Sequence, residues 1–237
     1  MQIKWFEELD STNDELLRGI SRYDNLSVVA ALRQTAGRGQ RGNKWLSAPG
    51  DNLTFSILLK PAELPADEFM SITFLATLAV KKWLCSQGVP AVIKWPNDIY
   101  VAKRKICGML VENRLEGGSI QASVIGIGLN LNQTLFPGEL MNPVSLKRLT
   151  GRDYPLKESL EELLSCFEFS ALESRRGRTA LWKAYGTGLF QQGTACRYRD
   201  LQTEEEFTGT ITGVTRGGRL LMEDGKSFSF KEISYIL

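Results

Sequence analysis

The chain has 237 residues, 43% hydrophobic and 24% charged, which is enough for one large domain with its own core and a small one besides. Twenty-nine Lys and Arg against 27 Asp and Glu leave a net charge of +2, so nothing in the total favours nucleic acid or membrane. There is no histidine, which excludes Ser-His-Asp triads and the usual zinc sites; carboxylates, lysines, arginines, backbone N–H groups and a labile magnesium ion remain for any chemistry.

The four cysteines, Cys85, Cys107, Cys166 and Cys196, form no C-x-x-C pair and read as reduced thiols among apolar neighbours. Residues 1–10 contain no signal-type apolar region, and no later apolar run approaches the eighteen or so residues of a membrane span. A soluble, cytoplasmic protein is expected.

In chain order, residues 5–10 lead into Ser11-Thr12-Asn13-Asp14-Glu15, where a polar N-cap followed by acids predicts a helix to about Ile20. A helix start also presents hydroxyls and free N–H donors, so capping and ligand binding are both open readings. Residues 27–32 are short, apolar and β-branched, and residues 53–59 alternate, which predicts two strands. Between them runs Gln34-Thr35-Ala36-Gly37-Arg38-Gly39-Gln40-Arg41-Gly42-Asn43-Lys44-Trp45. Its glycines permit close backbone approach, and Arg38 and Arg41 offer guanidinium forks to an anion. Gly37, Gly39 and Gly42 match G-x-G-x-x-G, but a dinucleotide fingerprint needs a helix directly afterwards, and Pro49-Gly50 argues against one. A P-loop reading fails because Asn43-Lys44 replaces Lys-Ser or Lys-Thr. The segment is read as a strand-to-strand loop that closes over an anion and stays mobile until a ligand offsets its ordering entropy.

Residues 66–87 carry Phe69, Ile72, Leu75, Ala76, Ala79 and Trp83 at helical spacing, with Gly88 as the stop, which predicts a buried core helix. Residues 92–94, 99–101, 106–114 and 120–131, separated by turn sequences, predict a meander of antiparallel strands. Residues 142–185 read as helices interrupted at Gly151. After Gly186 and Gly188, five short strand-like segments suggest a small β-barrel, so the expected division is residues 1–187 and residues 188–237.

Three more pieces carry chemistry. Lys94-Trp95-Pro96-Asn97-Asp98 sets a carboxylate on a proline-fixed turn after a strand. Lys105 stands at the mouth of a hairpin ahead of Gly108, where the backbone is open to a ligand. Gly126-Ile127-Gly128-Leu129-Asn130 makes a poor core strand unless something docks on it. Alone, the first two also read as an ordinary turn and a solvated lysine.

Taken together, Ser11-Thr12-Asn13, Gln34 through Gly42 with Trp45, Lys94 through Asp98, Arg104 through Gly108, and Gly126 through Asn130 resemble the biotin protein ligases in order and spacing, over nearly the whole chain. The resemblance implies an α+β fold: a mixed, largely antiparallel sheet with helices on one side, of the class II synthetase-like ligase type, then a C-terminal SH3-like β-barrel. It implies ATP and biotin as substrates, Mg2+ carried by the nucleotide with no protein metal site, and a biotin carboxyl carrier protein as acceptor. Ser11, Thr12, Gln34, Arg38 and Lys105 would surround biotin. Asn13, Gly37, Gly39, Gln40, Arg41, Trp45, Asn97, Gly108, Gly126 and Asn130 would complete the site around the adenylate. Gln40 departs from the arginine common in the family, and Gly42-Asn43 from the commoner Gly-Arg. The motifs begin by Ser11, so no helix-turn-helix DNA-binding domain is expected ahead of them; a monomer or weak homodimer is expected.

The implied chemistry needs carboxylate and phosphate charge neutralised by Arg38, Lys105, loop N–H groups and the metal, with Asp98 accepting a proton from the acceptor lysine. Two rivals remain at this stage, a lipoate or octanoate ligase on a related fold and a non-enzymatic nucleic-acid-binding module. The near-zero net charge and the few aromatics beside basic residues argue against the second.

Overall fold

The structure, a computed structural model, describes residues 1–138 and 140–237, with the side chain of Arg41 outside the described part. A seven-stranded sheet forms its centre, in the order β1 (Ile3–Leu9), β2 (Val28–Gln34), β3 (Leu53–Leu59), β7 (Ser119–Leu129), β6 (Arg104–Glu116), β5 (Asp98–Val101), β4 (Ala91–Lys94). Only β1 with β2 is parallel; the other pairs are antiparallel, so the expected meander of β4 to β7 is present and the sheet is mixed. The pattern of β1, with exposed Lys4, Glu7 and Glu8 on an edge strand, hides it from a hydrophobic-periodicity reading.

Alternation along the strands divides the core. Val28, Ala30, Phe55 and Ile57 face a large cluster under α2 (Met70–Ser86), while Val29, Leu58, Ala122 and Val124 face Leu16 of α1 (Thr12–Arg18). Helices therefore lie on both faces, a correction to the expectation of one: α1 covers one face, and α2 with α4 (Leu156–Ser165) and α5 (Arg175–Gly186) the other. The short α3 (Leu146–Thr150) ends at Gly151 with φ 72°, the left-handed stop anticipated for that glycine. Residues 66–86 pass the length and hydropathy test for a membrane span, which the expectation missed; 67% of the 18-residue segment that passes it is buried inside the fold, and the core is what its apolarity serves.

The last fifty residues form a separate five-stranded antiparallel sheet in the order β11 (Ser227–Phe228), β10 (Leu220–Met222), β9 (Glu206–Val214), β8 (Ala195–Asp200), β12 (Ile233–Tyr235). It docks through a buried and a half-buried tryptophan: Trp95 Nε1 donates to the Gly218 carbonyl at 2.8 Å, and Trp182 Nε1 to that of Val214 at 2.8 Å. All four cysteines are free, but only Cys107 is buried, and burial pushes its thiol pKa up; Cys85 is exposed, against the apolar setting expected.

Candidate functional site

Glycine alternation on two adjacent strands builds a flat floor. Gly108 on β6 lies opposite Gly128 on β7, and Leu110 opposite Gly126, all on the face that carries α1. A Cβ at Gly128 would overlap the Trp45 indole, and one at Gly126 would overlap the Asn13 amide. These two glycines thus hold open the space that the glycine loop and α1 fill. Trp45 lies over the floor, its Nε1 buried without a hydrogen-bond partner among the described residues.

Ser11 caps α1 by accepting from the Asp14 N–H. Gln34, at the end of β2, accepts at Oε1 from the Thr12 N–H at 2.8 Å and from the Thr12 hydroxyl at 3.2 Å. Ser56 Oγ, on β3, donates to Thr12 Oγ1 at 2.8 Å or Asn13 Oδ1 at 2.6 Å, and Asn13 Nδ2 donates to Glu112 Oε2 at 2.8 Å. Capping and site building are therefore done by the same residues. Ser56 and Glu112 are members the sequence reading missed. Glu112 had a signal, since alternation from Gly108 through Leu110 puts it on the floor face.

Arg38 is not a free cation. Its guanidinium donates to both Asp14 and Glu112; burial works against its charge, yet those two carboxylates leave its pKa raised. The loop folds on itself, with Trp45 N–H donating to Gly37 O at 2.9 Å and Gly39 N–H to Asn43 O at 2.7 Å. Residues 40–42 form a 3-10 turn with φ 84° at Gly42. Gln34, Gly37, Arg38, Gly39 and Trp45, with Gln133 and residues 135–137, line a cleft of 1070 Å³.

Lys105 and Asp98 lie beyond Trp45, outside that cleft. Lys105 Nζ is 2.7 Å from Asp98 Oδ1 and 6.0 Å from the Trp45 ring centroid. Asn97 and Asn130 are buried and donate to the carbonyls of Met109 and Val144, so they brace the floor. Gln40 faces a second cleft of 310 Å³ shared with Trp95, Asn97 and residues 217–219 of the C-terminal sheet. The expected Arg41 contact falls on a side chain outside the described part. The expected residues thus form two neighbouring groups, a cleft and a charged pair, with one indole between them. No group of three or more Asp, Glu or Cys among the described residues comes together as a metal cage.

The arrangement of hydroxyls, amides, a guanidinium and an ammonium around a flat floor suits an acid joined to a phosphate. A family model described as the biotin/lipoate A/B protein ligase family matches residues 5–130. The chain is 36% identical over 225 residues to the bifunctional ligase/repressor BirA of Escherichia coli, covering 91% of this chain and 67% of that protein. It is 34% identical over 205 residues to the BirA of Bacillus subtilis, covering 83% of this chain and 61% of that one, so it spans about three fifths of the Bacillus relative. Among solved structures, the biotin protein ligase of Aquifex aeolicus in complex with biotin and ATP superposes with a TM-score of 0.75 at 28% identity, covering 98% of this chain and 97% of that one. The matched segment holds the glycine floor, the loop and the Lys105–Asp98 pair together, and by it the chain belongs to the biotin/lipoate A/B protein ligase family.

Proposed function

We propose that the chain is an ATP-dependent biotin protein ligase. It would activate biotin as biotinyl-5'-AMP with release of pyrophosphate, then transfer the biotinyl group to a lysine of a biotin carboxyl carrier protein. Family membership and the likeness to a ligase bound to biotin and ATP support this. The observation that carries it is the paired-glycine floor under Trp45 with Lys105 at its rim and Asp98 bonded to Lys105.

Thr12, Gln34 and Ser56 already form a hydrogen-bonded group of hydroxyls and an amide, which suits a cyclic urea that both donates and accepts. Arg38 exchanges one carboxylate partner for the acid of biotin, and Lys105 and the loop N–H groups face the phosphoryl oxygens. One carboxylate oxygen of biotin then bonds to the α-phosphorus as the bond to pyrophosphate breaks. In the transfer step the acceptor lysine attacks the biotinyl carbonyl as a neutral amine and the bond to AMP breaks, with AMP leaving; from a pKa of roughly 10.4 the lysine's deprotonation costs about 4 to 5 kcal/mol at pH 7. Asp98 accepts that proton once Lys105 has turned to the phosphate. Trp45 shields the mixed anhydride from water. One aspartate beside two lysines does not fit a resident metal, so any magnesium would travel on the nucleotide.

Residues 1–187 are then the ligase domain and residues 188–237 an SH3-like β-barrel, supported by the confinement of the second sheet to residues 195–235; we take the protein to be cytoplasmic. The test is incubation with ATP, an apo carrier domain and either biotin or lipoate, read by mass spectrometry. Addition of one biotinyl group and no lipoyl group is expected, and lipoyl addition alone would move the activity to the other branch of the family.

A further inference from the structure

Lys94, Asp98 and Lys105 form a row across three neighbouring strands. Lys94 ends β4 and is the Cα partner of Asp98 on β5, while Tyr100, two residues further along β5, pairs with Lys105 of β6. The row holds two ammonium groups and one carboxylate, so it carries one positive charge in excess. Lys105 engages the Asp98 carboxylate at 2.7 Å. Lys94 makes no hydrogen bond or ion pair among the described residues; its Nζ stands 5.1 Å from the Tyr100 ring centroid and 4.7 Å from that of Tyr235, on β12. Ring faces attract an ammonium without neutralising it. Burial holds the Lys94 pKa below its ordinary value, Asp98 opposes that and Lys105 adds to it, as expected of a half-buried cation short of an anion. The Tyr235 hydroxyl is also buried and without a hydrogen-bond partner.

Direction comes from the strand order. Thr12 and Ser56 sit over β3, whose Ser56 pairs with Gly126 of β7; Lys105 lies one strand further on, Asp98 the next, and Lys94 on the last. In an in-line displacement the leaving group departs opposite the attacking oxygen, so it ends further from biotin than the α-phosphorus does. We propose that Lys94 is the pyrophosphate-binding residue of this site, meeting the β- and γ-phosphates of ATP at the outer end of the charged row. The carboxylate oxygen of biotin bonds to the α-phosphorus, the bond from it to the bridging oxygen breaks, and the electron pair stays on that oxygen. The ammonium of Lys94 lies on the side where this charge develops.

This assignment rests on the ligase reading and is tested by kinetics in both directions. Lys94→Met keeps the aliphatic stem between the two tyrosines. It should raise the KM for inorganic pyrophosphate in the reverse reaction, in which biotinyl-AMP and pyrophosphate give ATP and biotin, by roughly tenfold or more, with biotin affinity unchanged. Transfer from added biotinyl-AMP to the carrier should stay near the parent rate, and Lys94→Arg should recover most of the pyrophosphate affinity. An unchanged KM for pyrophosphate, or an equal loss in transfer from added biotinyl-AMP, overturns the assignment. No biotin-dependent turnover by the parent chain would instead sink the ligase reading. A measurement free of variants is trace acetylation of the parent chain, in which inorganic pyrophosphate should protect Lys94; equal labelling with and without it overturns the assignment too.

Discussion

At the floor of the site, single atoms decide what fits. Lys105 and Asp98 hold each other at 2.7 Å, so changing either alters both. Lys105→Ala removes a cation from developing phosphoryl charge and should slow biotinyl-AMP formation by roughly 10²- to 10³-fold in single-turnover kinetics; a rate near the parent would remove Lys105 from the site. Asp98→Asn should slow transfer from preformed biotinyl-AMP at least as much as its formation, and a selective loss of formation would assign Asp98 to the nucleotide. Gly128→Ala places a methyl group where the Trp45 ring lies. That ring is carried by a loop and is able to lift, so the fold should survive while the cover is lost. Biotin-dependent turnover is expected to fall by roughly tenfold or more, with the melting temperature little changed; full turnover would mean that Trp45 has no need of its seat on the floor.

The glycine loop is the element on which the two groups of residues depend. It is pinned by Arg38 to Asp14 of α1 and Glu112 of β6, partners 24 and 74 residues away. Glu112→Gln removes one charge from that pin. Trypsin should then cut at Arg38 or Arg41 faster than in the parent, and biotin with ATP should protect the parent; equal cutting in all three states would reduce the loop to a plain connection. The loop's glycines, its place between two strands and its terminal Trp45 were legible in the sequence, because turn chemistry and strand alternation are local. That Asp14 and Glu112 pair with Arg38 was not, since a helix and a strand distant in sequence bring them to the loop. The β1 strand escaped for another reason: on a sheet edge its charged residues face solvent and break the apolar pattern. Asn97 was visible as a polar residue at a turn and Asn130 as one in a glycine-rich strand, but only the folded chain reveals that they donate to the backbone carbonyls of Met109 on β6 and of Val144.

Across the whole molecule, the C-terminal sheet contacts the first sheet at the same turn that delivers Asp98. Trp95 donates to Gly218 O, and the Tyr185 hydroxyl donates to Pro96 O at 2.7 Å. The turn is thereby held from behind by α5 and by the second sheet, and Tyr235 reaches Lys94 from its last strand. Trp95→Phe leaves a buried carbonyl without its donor and should lower unfolding free energy by roughly 1 to 3 kcal/mol in urea denaturation; a change within about 0.5 kcal/mol, the usual range for inconsequential sites, would show that the docking does not depend on that bond. Short strands and turn pairs made the second sheet readable from residues 195–235 alone. Its contact with the Lys94–Asp98 turn was not, because nothing in either segment marks the other.

Activation of biotin by ATP on the glycine floor is measured, without any carrier, by biotin-dependent exchange of labelled pyrophosphate into ATP. Exchange is expected to require biotin, to go unsupported by lipoate, and to fall by roughly 10²-fold or more in Lys105→Ala. Exchange with lipoate in place of biotin, or no exchange with either acid, would contradict that expectation.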